Sequence, residues 1–184
     1  MPLPLGHSAI GMAVHELSAK DTGLTRWKNI AFITLLANLP DLDVVVGLLL
    51  RDNGSAFHRG PTHSLLFALA MALAASRAGK AWAGLPRFRF GICFLVVFSH
   101  VLSDLFLTSA PVSLLWPLEV NWSLGHSGWT DVLNTVFLGV FRDAGVIVIC
   151  TLVVLAKHAF WKIPRYRRLV LAVYHRHRET KIRF

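Results

Sequence analysis

The chain has 184 residues, of which 54% are hydrophobic and 16% charged, with a formal net charge of +9. A soluble domain of this size carries roughly 25% charged residues and could not bury so much apolar surface, whereas a bilayer solvates outward-facing apolar side chains. The charge is concentrated: from residue 157 onward Lys157, Lys162, Arg165, Arg167, Arg168, Arg176, Arg178, Lys181 and Arg183 stand against Glu179 alone, a distribution that suits an anionic membrane surface, and no nucleic-acid partner is expected.

A membrane-spanning helix takes roughly 20 mainly apolar residues. In chain order, a short segment at about 5–19, rich in small residues, reads as a half-span or re-entrant helix. A first full run covers about 30–50 and is interrupted by Asn38-Leu39-Pro40-Asp41-Leu42-Asp43. A second starts near Pro61 and runs to about Ala75, short and rich in Ala and Leu. A third covers about 90–107 and contains His100 and Asp104, and a fourth covers about 145–161 without an acidic residue. The expected fold is therefore all-α, a polytopic membrane helical bundle of four spans plus a short N-terminal segment. It comprises a membrane-embedded domain over 1–161 and a basic tail over 162–184. Cys93 and Cys150 each lie within an apolar run and read as small buried hydrophobes, not as a disulfide framework. No basic n-region followed by an apolar h-region is present, so no cleavable signal peptide is expected.

The loops orient the bundle. Arg77, Lys80, Arg87 and Arg89 occur without an acid between residues 77 and 89, which puts that loop and the basic tail on the cytoplasmic side. The loops at 109–131 and 51–58 then fall outside, and 20–28 falls inside.

Three acids sit inside apolar runs: Asp41, Asp43 and Asp104. An ionised carboxylate at mid-membrane costs roughly 2.5–3.5 kcal/mol, about 8–10 kcal/mol for three. A bound cation, a partner charge or a wet cavity must offset that. His100 and Asp104 are four apart and share a helical face, within reach of one ion; a structural His–Asp pair is the equally good alternative. In His58-Arg59-Gly60-Pro61-Thr62-His63-Ser64 the Gly60-Pro61 turn can bring His58 and His63 to one point. Arg59 between them is suited to a phosphate or carboxylate, although a polar helix entry facing headgroups would use the same residues. Pro40 breaks or bends its helix, and two carboxylates two apart do not share a helical face. Either the backbone is irregular here, lining a cavity, or one of Asp41 and Asp43 is a ligand and the other stands behind it; a Pro-kinked span with paired acids is the alternative. His7 and His15, eight residues apart, are each more readily explained singly as polar interfacial residues. His126 is a weak candidate, and His158, His175 and His177 read as surface charge with the tail. Taken together, His7, Asp41 or Asp43, His58, His63, His100 and Asp104 form a nitrogen and oxygen donor set without thiolates, suited to Zn²⁺, Mn²⁺ or Fe²⁺, as one ion or two.

His7, then Leu39-Pro40-Asp41-Leu42-Asp43, then His58-Arg59-Gly60-Pro61-Thr62-His63-Ser64, then His100-Val101-Leu102-Ser103-Asp104, then Leu115-Trp116-Pro117 resemble the motifs of a bacterial family of inner-membrane metal-dependent hydrolases, some of whose members are described as LexA-regulated. The resemblance covers roughly residues 1–120. The order of ligands is also similar to that of zinc-dependent phospholipase C and P1 nuclease, without their further His and Glu ligands and N-terminal Trp. The resemblance implies a bacterial inner-membrane location and a hydrolytic reaction. The expected ligands are His7, Asp41, His58, His63, His100 and Asp104, with Asp43 as general base or positioning group and Arg59 on the substrate. The expected cofactor is a divalent metal, zinc first and manganese or iron next. The expected partners are membrane lipid and an anionic small-molecule or lipid substrate of phosphoester type. A metal-ion or proton transporter built on the same His/Asp cluster, and a non-catalytic adaptor with a basic tail, are the alternatives.

Overall fold

The computed structural model describes residues 3–18, 27–108, 110–118, 121–123 and 143–162. His126, His175, His177 and the tail over 163–184 lie outside the described residues. Among those described, the chain forms six α-helices: α1 (Pro4–Ser18), α2 (Trp27–Ala37), α3 (Leu42–Arg51), α4 (Leu65–Ala81), α5 (Phe90–Leu107) and α6 (Ala144–Lys162). A 3-10 turn at Pro61–His63 precedes α4, and an isolated bridge of extended backbone pairs Val112 with Trp122.

Helices α5 and α6 are long and apolar enough to cross a membrane, and α2 with α3 make a third span if the bent pair is counted as one. The expected four spans thus resolve into two or three on these criteria, because α4 and α1 are 17 and 15 residues long. The expected run at 30–50 is two helices inclined at 56°. Pro40 lacks the N–H that would continue α2, and the chain restarts only after a turn. The run expected from Pro61 begins with the 3-10 turn; α4 itself starts at Leu65, where the Ser64 side chain accepts a hydrogen bond from the Phe67 N–H at 3.1 Å, an N-cap.

Helix α5 is central, packed by α1, α2 and α4, while α6 lies along α1. The core is formed by Ile33, Leu36 and Ala37 of α2, Ala68, Ala72 and Ala75 of α4, and Cys93, Val96 and Val97 of α5. Small side chains set the helix separations, as is usual where lipid offers no hydrophobic drive to association. Gly11 of α1 faces Ala37 so closely that a Cβ on it would lie 2.7 Å from the Ala37 Cβ. Asn38 reinforces this contact, donating to Ser8 Oγ at 2.9 Å and to the Thr34 carbonyl at 2.8 Å. Cys93 is fully buried and Cys150 only partly so. His158, expected as surface charge, instead reaches Glu16 near the end of α1, as does Lys157 beside it. Its carboxylate is buried, and His158 Nε2 stands 3.1 Å from Oε1. A buried carboxylate draws a cationic partner from whichever helix packs beside it.

Candidate metal centre

The break after α2 builds the first part of the site. In an unbroken helix the Ala37 carbonyl would accept from the Asp41 N–H. Here Asp41 N–H donates to the Asn38 carbonyl instead, and the Ala37 carbonyl is taken by His100 Nδ1 at 2.7 Å. A carbonyl only accepts, so the His100 proton is on Nδ1 and Nε2 carries the lone pair.

Two other imidazoles are fixed the same way. His7 Nδ1 lies 3.1 Å from Ser103 Oγ, whose own proton goes to the His100 carbonyl at 2.8 Å. His7 must therefore donate from Nδ1. His63 Nδ1 lies 3.2 Å from Asp43 Oδ2, which also accepts from Thr62 Oγ1 at 2.5 Å and from the Arg59 N–H at 3.3 Å. A carboxylate behind the outer nitrogen of a histidine fixes its tautomer and raises its basicity, a recurrent support for metal-binding imidazoles.

The inner nitrogens converge. His63 Nε2 and His100 Nε2 are 3.2 Å apart. Asp41 Oδ1 is 3.4 Å from His100 Nε2 and 3.7 Å from His63 Nε2. Asp104 Oδ2 is 3.5 Å from His63 Nε2, and its Oδ1 is 3.5 Å from His7 Nε2. The His7 and His100 rings stack with centroids 3.7 Å apart. His7, His63, His100 and Asp104 are essentially inaccessible to solvent. His58 stands at the edge, its Nδ1 3.1 Å from Asp43 and 3.9 Å from Asp41.

These atoms fit a cation. Two neutral imidazoles whose outer nitrogens both hold their protons turn bare lone pairs toward each other. At 3.2 Å that contact needs a proton or a metal ion between them. The buried His7 Nε2, Asp41 Oδ1 and Asp104 Oδ1 have no hydrogen-bond partner, a costly condition that a shared ion would relieve. Three overlapping triads each bring one donor atom per residue within 4.8 Å: His7, Asp41 and His100; Asp41, His58 and His63; His63, His100 and Asp104. These buried His/Asp groups can hold a metal ion. Without one, the demand for positive charge falls on His63, which lies in the turn outside the spanning helices. Burial works against its imidazolium, but hydrogen bonds to Asp104 and Asp43 and the charges of both carboxylates prevail and push its pKa up to about 9.

Arg59 is held in the left-handed region, with φ 65°, where a residue other than glycine is strained. Its N–H is bound by Asp43 and its carbonyl accepts from the Ser113 N–H at 3.1 Å. Its Nε reaches Asp104 Oδ2 at 3.5 Å. The segment after α5 is thereby tied to the site, and Leu114 adds a second bond, accepting from the Leu65 N–H.

The eight residues singled out from sequence thus lie together, at the N-terminal ends of α1 and α3, the C-terminal ends of α2 and α5 and the 58–63 segment that leads into α4. Asp43 sits outside the three triads, behind His58 and His63. His15 is buried but remote, packed on Phe88. Ser103 and Thr62, which the sequence reading passed over, fix imidazoles or carboxylates through their hydroxyls; only their adjacency to Asp104 and His63 could have pointed to them. No curated protein and no solved structure matches the chain. A family model described as YdjM inner membrane protein matches residues 1–174, and the chain belongs to that family.

Proposed function

We propose that the chain is a multi-pass inner-membrane hydrolase that depends on a divalent metal, zinc in the first place, and cleaves a phosphoester of amphiphilic type. The observation that carries this reading is the set of three imidazoles whose Nδ1 atoms are bound to oxygens and whose Nε2 atoms turn inward, facing two carboxylates whose Oδ1 atoms lack partners. A divalent ion held by such donors supplies Lewis acidity, polarising a phosphoryl oxygen and making water more acidic. His7, Asp41, His58, His63, His100 and Asp104 would hold it, and they exceed the three protein ligands of a typical catalytic zinc, leaving donors for a second ion. Asp43, saturated by Thr62 and the Arg59 N–H, serves better to orient His58 and His63 than to accept a proton from water. Arg59, kept charged at all accessible pH, reaches over Asp104 to hold the anionic group of the substrate.

An amphiphilic substrate is supported by the segment bonded to Arg59 and Leu65. It leaves Leu115, Trp116, Leu118 and Trp122 exposed, with Phe57 beside the 58–63 turn. Exposed tryptophans of this kind favour the membrane interface. The positive-inside distribution of Lys and Arg gives four spans with the C-terminus in the cytoplasm and the site toward the outer face. The donors gather at one place, as an enzyme requires, whereas a transporter would stagger polar groups along its path.

The test is metal content and phosphoesterase activity measured on the same purified variants. His63→Ala and Asp104→Ala are expected to lose metal and turnover together, Asp104→Ala more than tenfold in each. Arg59→Gly, which relieves the left-handed strain by about 1 kcal/mol, is expected to keep its metal and fold while losing activity. A parent protein that binds no divalent metal in nanodiscs would end the enzyme reading. Metal flux without hydrolysis would establish the transporter.

A further inference from the structure

At the opposite end of α2 from the metal centre, two adjoining cavities of about 240 and 460 Å³ share Lys28, Gly84, Leu85 and Pro86 along their walls. Lys28 lies nine residues before Ala37, about 14 Å along the helix, so this groove is separate from the site already described. On α2, Lys28, Ala31, Phe32 and Leu35 recur every three to four residues and occupy one face. The smaller cavity runs along that apolar stripe and the larger one opens at Lys28 and Arg87. Among the described residues, no acidic side chain lines either.

The facing wall is built into the fold. The chain leaving α4 turns back on it, with Trp82 N–H bonded to the Ala78 carbonyl and Leu85 N–H to the Trp82 carbonyl. Gly79 permits the return: a Cβ there would lie 2.3 Å from the Pro86 carbonyl oxygen. Trp27 and Trp82, both largely exposed, flank the groove in the manner of side chains that sit at headgroup level.

We propose that this groove binds an anionic phospholipid, its phosphate on Lys28 and Arg87 and an acyl chain along Ala31, Phe32 and Leu35. The polarity of the groove is that of such a lipid: two cations at one end with no acid beside them among the described residues, and a continuous apolar face leading from them along a helix that packs in the membrane domain. A free phosphate would use the cations and leave the stripe unfilled.

The experiment uses the full chain in detergent, titrated with phosphatidylglycerol or with phosphatidylcholine of the same acyl chains, and read by native mass spectrometry and thermal unfolding. Phosphatidylglycerol is expected to bind more tightly and to raise the unfolding temperature more. Lys28→Ala combined with Arg87→Ala is expected to weaken that binding about 30-fold, since each basic residue near an anionic lipid contributes roughly fivefold. Lys28→Arg is expected to retain most of it, and metal content should not change in any of these variants. Arg77→Ala with Lys80→Ala removes two cations outside the groove and should have little effect. Equal binding of the two lipids, or equal losses in the two double variants, would overturn the proposal, as would sn-glycerol 3-phosphate competing as tightly as the lipid.

Discussion

At the scale of single residues, the centre is organised by where protons already are. His7, His63 and His100 each spend the Nδ1 proton on an oxygen held in place by other bonds, so it is the Nε2 atoms that turn inward, and without a metal ion a proton on His63 must stand between His63 and His100. In the metal-free protein His63 keeps an extra proton up to a pKa of about 9, above its ordinary value of 6.5. A raised histidine pKa contributes stability that is fully present below 6.5 and is lost as the pH rises through about 9. A metal ion must displace that proton. Its affinity should therefore climb from pH 6.5 to about 9 and then level off, with close to one proton released from His63 per ion bound at pH 7.5. Calorimetry in buffers of different ionisation enthalpy counts the protons; no release at pH 7.5 would mean that His63 is not a ligand. Asp43→Asn should reduce metal affinity by about 10- to 100-fold without abolishing it, the usual effect of losing a carboxylate behind a ligating histidine. Equilibrium dialysis against a competing chelator checks this.

At the scale of elements, a helix break does what a helix cannot. The Ala37 carbonyl is available to His100 because Asp41 N–H bonds to Asn38, and the same turn brings Asp41 to face the inner nitrogens of His63 and His100. Pro40→Ala should favour helix through the break by restoring a backbone donor, worth up to about 3 kcal/mol of local helix propensity. It should nevertheless weaken metal binding, because the continued helix competes for the Ala37 carbonyl and re-aims Asp41. Far-ultraviolet circular dichroism and metal content measured on one preparation test this; unchanged metal content would show that the site does not depend on the break. Gly11→Ala acts from α1. With the new Cβ 2.7 Å from that of Ala37, α1 must shift and carry His7 with it. The expected cost is about 1–3 kcal/mol, read as earlier thermal unfolding together with reduced metal content.

At the scale of the whole molecule, α1 joins two buried polar regions. His7 belongs to the candidate metal centre, while Glu16 holds Lys157 and His158 of α6. Between them α1 turns Gly11 and Ala13 into the bundle, an apolar separation that keeps the two regions independent. The distribution of basic residues predicts that reporter fusions at Gly79 and at the C-terminus both report the cytoplasm. A periplasmic signal from either would invert the molecule and put the metal centre toward the inner face.

The amino-acid sequence by itself determined the helical class, the inner-membrane family and the identity of the clustered His and Asp residues. Uncompensated carboxylates in apolar runs are costly enough to single out Asp41, Asp43 and Asp104 without any coordinates. Helix α5 was legible from end to end because its run is apolar apart from the Ser99-His100 and Ser103-Asp104 pairs and holds no helix breaker beyond Gly91 in its first turn; α2 and α3 were legible as one interrupted run, with Pro40 marking where they part. What sequence could not supply was the geometry with which segments distant in the chain meet. The separation of Asp41 at the inner nitrogens from Asp43 behind His58 and His63 follows from the bend between α2 and α3. The burial of Glu16 against His158 follows from α6 lying on α1, and the groove at Lys28 and Arg87 from the return of the chain over Gly79. Each is a contact between segments whose approach is set by packing, and local periodicity carries no information about which face meets which.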